Sequence, residues 1–283
     1  MNYQARLERL DSELIALGRV AVAFSGGVDS AALLHAARRV LGEGAAAVIA
    51  DSPSLPRAEL IEARALAARM DVPLVELRTD ELENPGYVAN TGDRCYYCKS
   101  ALFEEMRTWA SSAGYAALAF GEITDDLLDD RPGARAAREF EVRAPLRDAG
   151  FDKQDVRRYA REAGLAVADK PASACLASRL PIGTEVTPER LATVERAEAL
   201  VRERGYRVLR VRHHGQHALL EVGEDEIVRA RGERTELDAA LASCGFETTE
   251  LGVYISPVAR GRTAVKPPGS AEAPAPPIPN TRR

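Results

Sequence analysis

The chain has 283 residues, long enough to bury one substantial core and to form two domains. Its composition, 46% apolar and 29% charged, is that of a water-soluble globular protein, and no run of about 18 apolar residues is present to span a membrane. A net charge of −5 argues against duplex nucleic acid as a partner, because such binders carry a basic surplus.

Residues 1–14 read as an amphipathic helix without the apolar stretch of a signal peptide, so the expected location is the cytoplasm, where thiols stay reduced. Residues 19–24 form a short apolar run, expected to be a buried strand, and residues 30–40 follow with helical spacing. A second strand is expected over 45–51, a helix starting at Pro56 over 56–70, a third strand over 73–77, a helix over 99–113 and a fourth strand over 116–120. Strands alternating with helices imply an α/β fold with a doubly wound, mostly parallel sheet. Ligands bind such sheets at the carboxyl ends of the strands, where Ser25, Asp51 and Gly121 fall.

Residues 122–150 read as loop-rich, with an RPG turn, and residues 153–163 as a helix. The stretch DKPASACLASRLPIGTEVTPE, full of small residues and prolines, is too long for a simple connection and points to function. A helix over 188–204, a hairpin over 207–213 and 217–222, a helix over 225–244 and a strand over 247–254 imply a smaller α+β C-terminal domain. The expected organisation is therefore 1–184, 185–263, and a proline- and alanine-rich disordered tail over 264–283.

Ser25-Gly26-Gly27-Val28-Asp29-Ser30 joins a strand to a helix. Glycines let the backbone approach an anion closely, and successive N–H groups with the helix N-terminus then face its charge. The loop lacks the Lys-Ser/Thr ending of a Walker loop and the spacing of a dinucleotide fingerprint. It resembles the PP-loop of the ATP pyrophosphatases, which implies ATP as ligand, phosphate contacts from Ser25 and Ser30, and Mg²⁺ or pyrophosphate near Asp29. The plain alternative is a glycine-rich turn before a helix. The acidic segment Glu122–Asp126 offers carboxylates for Mg²⁺, Asp125 among them, or is a solvated turn running on into Asp129 and Asp130.

Four cysteines are present, at 95, 98, 175 and 244. Cys95-Tyr-Tyr-Cys98 is expected just before a helix, and Cys175 lies in the small-residue loop. Three thiolates are one short of a closed zinc site and suit a 4Fe-4S cluster with one open iron. Redox exchange through the CxxC pair, or zinc with Cys244 as fourth ligand, stays open; Cys244 is most simply a buried apolar residue.

The order of SGGVDS, GDRCYYCKSALF, the acidic loop with RPG, and DKPASACLASRLPIGTEVT resembles the LarE family, over roughly residues 2–262. These are ATP-dependent sulfur transferases of nickel-pincer cofactor synthesis. The resemblance implies that the carboxylates of pyridinium-3,5-biscarboxylic acid mononucleotide are adenylated and the activated oxygen replaced by sulfur. Some members sacrifice one cysteine, which becomes dehydroalanine; others carry three cysteines and an iron–sulfur cluster. Cys95, Cys98 and Cys175 match the second pattern as ligands, with Cys175 at the sulfur-donor position of the first. Catalytic roles are thereby expected for Cys175 and Asp29, nucleotide contacts for residues 25–30, Asp51, Gly121 and Asp125, and a homo-oligomer with a small mononucleotide substrate.

That substrate carries a phosphate, for which Ser178, Arg179, Arg210 and Arg212 are candidate anchors; a guanidinium fork suits phosphate. Arg210 and Arg212 should share one strand face, which is otherwise a solvated face. His213, His214 and His217 read as exposed hairpin histidines or a metal group, and Lys170 as an ordinary loop lysine or a phosphate contact. Rival readings are a tRNA-thiolating enzyme, which should bring a more basic surface, an ammonia-dependent adenylating ligase, which needs no cysteine trio, and a non-catalytic nucleotide sensor.

Overall fold

The structure, a computed structural model, describes residues 1–128, 132–171 and 173–255. In chain order, α1 (Tyr3–Leu17), β1 (Val20–Ala23), α2 (Val28–Leu41), β2 (Ala45–Asp51), α3 (Arg57–Arg69) and β3 (Leu74–Arg78) build the first half of the larger layer structure. The short α4 (Pro85–Val88), α5 (Arg94–Ala113), β4 (Ala117–Phe120), α6 (Pro132–Glu139), α7 (Pro145–Asp148) and α8 (Lys153–Glu162) complete it. The second sheet region comprises α9 (Pro188–Glu203), β5 (Leu209–His214), β6 (His217–Val222), α10 (Ile227–Gly232), α11 (Arg234–Ala242) and β7 (Thr248–Val253).

The first sheet has the order β3-β2-β1-β4, and every pairing in it is parallel. Alternate residues of a strand face opposite sides. Val20 and Val22 accordingly enter one core with α1, α2, α3 and α8, while Ala21 enters the other with Phe103 and Met106 of α5 and Ala136 of α6. Helices on both faces explain why β1 reads as a continuous apolar run rather than an alternating one. Alanines 31, 32, 36 and 37 are fully buried on α2 and let that helix sit close to the sheet. The expected α/β fold with a mostly parallel sheet is thus present.

The second sheet has the order β5-β6-β7, with β5–β6 antiparallel and β6–β7 parallel, and is built wholly after residue 185. Its inner face packs Val211, Leu220 and Val222 against Val201, Leu237 and Phe246. Among the described residues, no helix is long and apolar enough to cross a membrane. The expected tail over 264–283, the last residues of the expected second domain, and Asp129 and Asp130 lie outside the described residues.

Four expectations are corrected. Pro56 caps α3 rather than opening it. Cys95 lies in the first turn of α5 and Cys98 at the start of its second, because the helix begins five residues earlier than the apolar spacing indicates. Residues 122–150 hold two helices: Pro132 and Gly133 stand in the first turn of α6, where the missing N–H of proline is harmless, and alanine and arginine carry the rest. The helix expected over 225–244 is two, divided after Gly232, the poorest helix former in the segment.

His213 is 8% exposed and packs against Phe246 in a T-shaped arrangement, ring centres 5.3 Å apart. Burial pushes its pKa below the ordinary imidazole value, and burial does the same to His35. The unfolded chain therefore takes up protons that the folded one refuses. Unfolding free energy should be insensitive to these groups above about pH 6.5 and should decline below it, by less than about 1.4 kcal/mol per pH unit for each histidine. Urea titrations between pH 7.5 and 5.5 check this: His213→Leu should flatten part of the decline, and an unchanged slope would remove His213 from the account.

Candidate active site

The carboxyl ends of the four parallel strands carry the loops that matter. Beyond β1, Gly26 adopts φ +71°, a left-handed conformation open to glycine, and a β-carbon there would press within 3.2 Å of Ala63. Ser30 Oγ holds the loop by donating to the Gly27 carbonyl (3.1 Å) and accepting from the Ser25 N–H (3.2 Å), and it lies 3.2 Å from Ser25 Oγ. Gly27 caps α2 without any side-chain hydrogen bond to the helix's first N–H groups. A 14-residue helix thus presents its N-terminus at the end of the central strand pair, the arrangement that binds phosphate. Beyond β4, a β-carbon on Gly121 would fall 2.8 Å from the carbonyl carbon of Asp29 and from the Ser30 nitrogen. Only glycine allows this approach, which seats the end of β4 against the loop.

Lysine 153, the first residue of α8, was not singled out by sequence reasoning. Its Nζ bonds both Asp29 carboxylate oxygens, at 2.8 and 2.7 Å. Burial pushes the Asp29 pKa up, and Lys153 pulls against it. Because the partners lie far apart in sequence, no local pattern announces the pair. Asp125, expected beside the nucleotide, is exposed, and its Oδ1 accepts the Lys153 N–H at 3.4 Å. Glu122 is not a free ligand: it is 5% exposed and accepts from Arg147 Nη1 at 2.5 Å. The Asp51 carboxylate accepts from Arg57.

The cysteines meet this edge from two sides. Leu176 N–H donates to the Ser54 carbonyl at 2.8 Å, tying the Cys175 turn to the loop after β2. Tyr87 is buried, hydrogen-bonds Ser54 through its hydroxyl, and packs in one apolar cluster with Leu176, Cys98 and Cys175. Cys95 is exposed, while Cys98 and Cys175 are half-buried. Burial pushes the Cys98 thiol up, with Cys175, the buried carboxylate of Glu81 and Cys95 adding to it. Three thiols therefore share one neighbourhood. Among the described residues, no group of three or more His, Cys, Asp or Glu side chains is already arranged to hold a metal ion. Cys244 is buried in the second core, as expected for an apolar residue.

Lysine 99 was also missed, although it directly follows Cys98. Its ammonium sits 4.6 Å from the centre of the Phe120 ring. Burial lowers its pKa, against the opposing pull of Cys98, Glu122 and Cys95. It places a buried amine next in sequence to Cys98 and against the end of β4.

The candidate phosphate anchors divide. Arg179 is corrected: it is 1% exposed and pairs in bidentate fashion with Glu198, Nε to Oε1 at 2.8 Å and Nη2 to Oε2 at 3.0 Å. Its Nη1 donates to the carbonyls of Ala174 (2.7 Å) and Cys175 (3.0 Å) and to Ser178 Oγ (3.0 Å), which leaves no fork for a ligand. Arg210 and Arg212 do share a face of β5, opposite the buried Val211 and His213. Arg212 donates to Glu221 (2.9 Å) and to the Ser178 carbonyl (3.1 Å). The Arg210 guanidinium lies 5.1 Å from the centre of the Tyr254 ring. Lys170 is spent on Glu59 and Glu62, at 2.6 and 2.7 Å. The three hairpin histidines do not converge: His213 faces the core, His214 is exposed, and His217 bonds Thr248 at 2.9 Å.

No protein-family model matches the chain. A pyridinium-3,5-bisthiocarboxylic acid mononucleotide synthase from Lactiplantibacillus plantarum is 36% identical over 243 residues, which cover 85% of this chain and 88% of that one. The chain belongs to the LarE family. An uncharacterized protein of a Synechocystis strain is 41% identical over 224 residues, 79% of this chain and 84% of its own. Another, from Methanocaldococcus jannaschii, is 27% identical over 240 residues, 84% and 90% respectively. The LarE-family chain is an enzyme, and its first sheet with the 25–30 loop is a PP-loop domain.

The Lys153–Asp29 pair gives a direct test of this electrostatic description. Lys153→Met removes an opposing cation, so the Asp29 carboxyl should titrate at higher pH than in the wild type, followed by carbon NMR of labelled aspartate. An Asp29 titration that stays put would show that the pair does not form in solution.

Proposed function

We propose that this LarE-family enzyme uses ATP and Mg²⁺ to adenylate the carboxylates of pyridinium-3,5-biscarboxylic acid mononucleotide and then replaces the activated oxygen with sulfur. The observation that carries this reading is the 36% identity, across 85% of the chain, to a protein named as the synthase of the corresponding bisthiocarboxylic acid. The geometry supplies a consistent chemistry.

A carboxylate is a poor acyl electrophile because its oxygen leaves badly. In the first step a carboxylate oxygen of the substrate attacks the α-phosphorus of ATP, and pyrophosphate leaves. The N–H groups at the start of α2 face the departing charge, held open by the Ser25–Ser30 hydroxyl brace. Asp29 and Asp125 would hold Mg²⁺, which keeps several waters and so needs few protein ligands; the ion would neutralise charge on the pyrophosphate. Lys153 keeps the Asp29 carboxylate charged and aimed. In the second step a sulfur nucleophile attacks the acyl carbon and AMP leaves; where that sulfur is the Cys175 thiolate, loss of the Cys175 Cα proton then breaks its Cβ–Sγ bond, releasing the thiocarboxylate and leaving dehydroalanine. Cys175 sits on the turn tied to the loop after β2, at the strand edge that carries the nucleotide loop. Arg210 and Arg212, on one face of β5, are the proposed anchors for the substrate phosphate, Arg212 by exchanging its present partners Glu221 and the Ser178 carbonyl for it.

Cys95, Cys98 and Cys175 would hold a 4Fe-4S cluster, a reading that the shared neighbourhood of the three thiols supports. When bound, such a group supplies an exchangeable sulfide in place of the Cys175 sulfur itself.

Two experiments test the proposal. With ATP and the dicarboxylated mononucleotide, pyrophosphate release and thiocarboxylate formation should appear together, the latter by mass spectrometry. Asp29→Ala should cut pyrophosphate release by about 100-fold or more while circular dichroism stays that of the wild type. Near-normal release from the folded variant would defeat the assignment of the loop. Separately, anaerobically purified protein should be brown and hold about four irons per chain. The iron should be lost on Cys95→Ala, Cys98→Ala or Cys175→Ala and kept in Cys244→Ala. A colourless, fully active protein whose Cys175 loses the elements of H₂S would replace the cluster by the sacrificial route.

A further inference from the structure

The turn that carries Cys175 is made of small side chains, Ala174, Cys175, Ala177 and Ser178 with Leu176 between them. Leu176 and Ala177 bury their side chains in the Tyr87 cluster, and directed hydrogen bonds hold the backbone of the turn in addition. One tie comes from the first sheet, the Leu176 N–H to the Ser54 carbonyl. The others come from arginines. Arg179 folds back to grip the carbonyls of Ala174 and Cys175, and Arg212 of β5 grips the carbonyl of Ser178.

A guanidinium buried to 1% exposure needs a carboxylate, and the one it has belongs to the second sheet region. Glu198, on α9, is fully buried. It receives Arg179 through both oxygens, and also the Arg202 guanidinium (3.0 Å) and the Val211 N–H of β5 (3.1 Å). Burial would raise its pKa, but Arg179 and Arg202 hold it below the usual carboxylate value. A buried ion pair adds little net stability over an apolar pair of the same volume. What an apolar pair cannot do is donate directed hydrogen bonds to two consecutive carbonyls. The location of the charge, with one Nη reserved for the backbone on either side of Cys175, therefore points to placement rather than to cohesion.

We infer that Arg179 and Glu198 are positioning residues for the Cys175 sulfur: the small domain, through Glu198, sets where the sulfur-bearing turn stands relative to the nucleotide loop. The inference rests on the reading of Cys175 as the sulfur-bearing position. It gives the second sheet region a part in sulfur transfer that is separate from anchoring the substrate.

The test uses the full-length protein. Arg179→Ala alone leaves Glu198 buried and unpaired, and it is expected to unfold. The Arg179→Met/Glu198→Leu double variant removes both charges at similar volume and should fold. Two readouts apply. In hydrogen–deuterium exchange by mass spectrometry, the amides of Leu176, Ser178 and Leu180 should exchange roughly tenfold faster, with the sheets unaffected. In kinetics, KM for ATP in pyrophosphate release should stay within about twofold, while kcat for thiocarboxylate formation falls by about 100-fold, the loss expected when a reacting atom moves by about 1 Å. Wild-type exchange at 173–180 with wild-type kcat overturns the inference. So does acceleration spread over both sheets with loss of ATP affinity, because Arg179 would then be only a strut. If the wild type makes no thiocarboxylate, the proposed function fails, and the exchange data alone still decide whether the pair positions the turn.

Discussion

A parallel sheet has its carboxyl ends at one edge, because every crossover helix must carry the chain back before the next strand starts. This constraint gathers the chemistry of the molecule. The loop after β1, the Ser52–Ser54 corner after β2 and the Gly121–Glu122 segment after β4 arrive together without any attraction between them. Apart from Asp51 at the end of β2, the candidate side chains on this edge come from the loops and helices rather than from the strands. The central strand β1 is all valine and alanine and serves to fix where its loop begins.

On this edge and on the facing strand β5, charges stand in opposed pairs. Asp29 faces Lys153, Glu122 faces Arg147, Asp51 faces Arg57, and Arg212 faces Glu221. Each pairing holds a long side chain in one place at the rim of a half-buried site, where an unpaired charge would be costly. On the proposed function, an anionic substrate at this edge would meet cations already oriented by carboxylates. Binding then exchanges one partner for another rather than ordering a free chain, and less conformational entropy is lost.

What the sequence made legible was local. The first four strands, the glycine loop between β1 and α2, the hairpin and the shared face of Arg210 and Arg212 all follow from period and spacing within short windows. The resemblance to the LarE family rested on short motifs in a fixed order and agrees with the relatives found. What stayed hidden depends on contacts between distant segments. Lys153 looks like any helix-opening lysine until α8 lies beside α2. Arg179 looked like a phosphate anchor because it follows the cysteine turn, and only the arrival of Glu198 from α9 shows that its fork is used. Cys95 and Cys98 were placed before a helix because tyrosines blurred the apolar spacing at the start of α5. The break at Gly232 is hidden in the sequence because the flanking residues continue the helical pattern.

Two glycines described here set different limits on how this chain can change over generations. A β-carbon on Gly133 would meet the Lys99 side chain at 3.0 Å, and a flexible methylene chain can swing aside. A β-carbon on Gly121 would meet the backbone of Asp29 and Ser30 at 2.8 Å, and backbone in a phosphate loop has nowhere to go. No second substitution nearby can trim a main-chain atom. In any descendant that keeps the loop, position 121 is therefore closed to drift and beyond rescue by a compensating change, whereas position 133 can accept alanine wherever the lysine is allowed to relax.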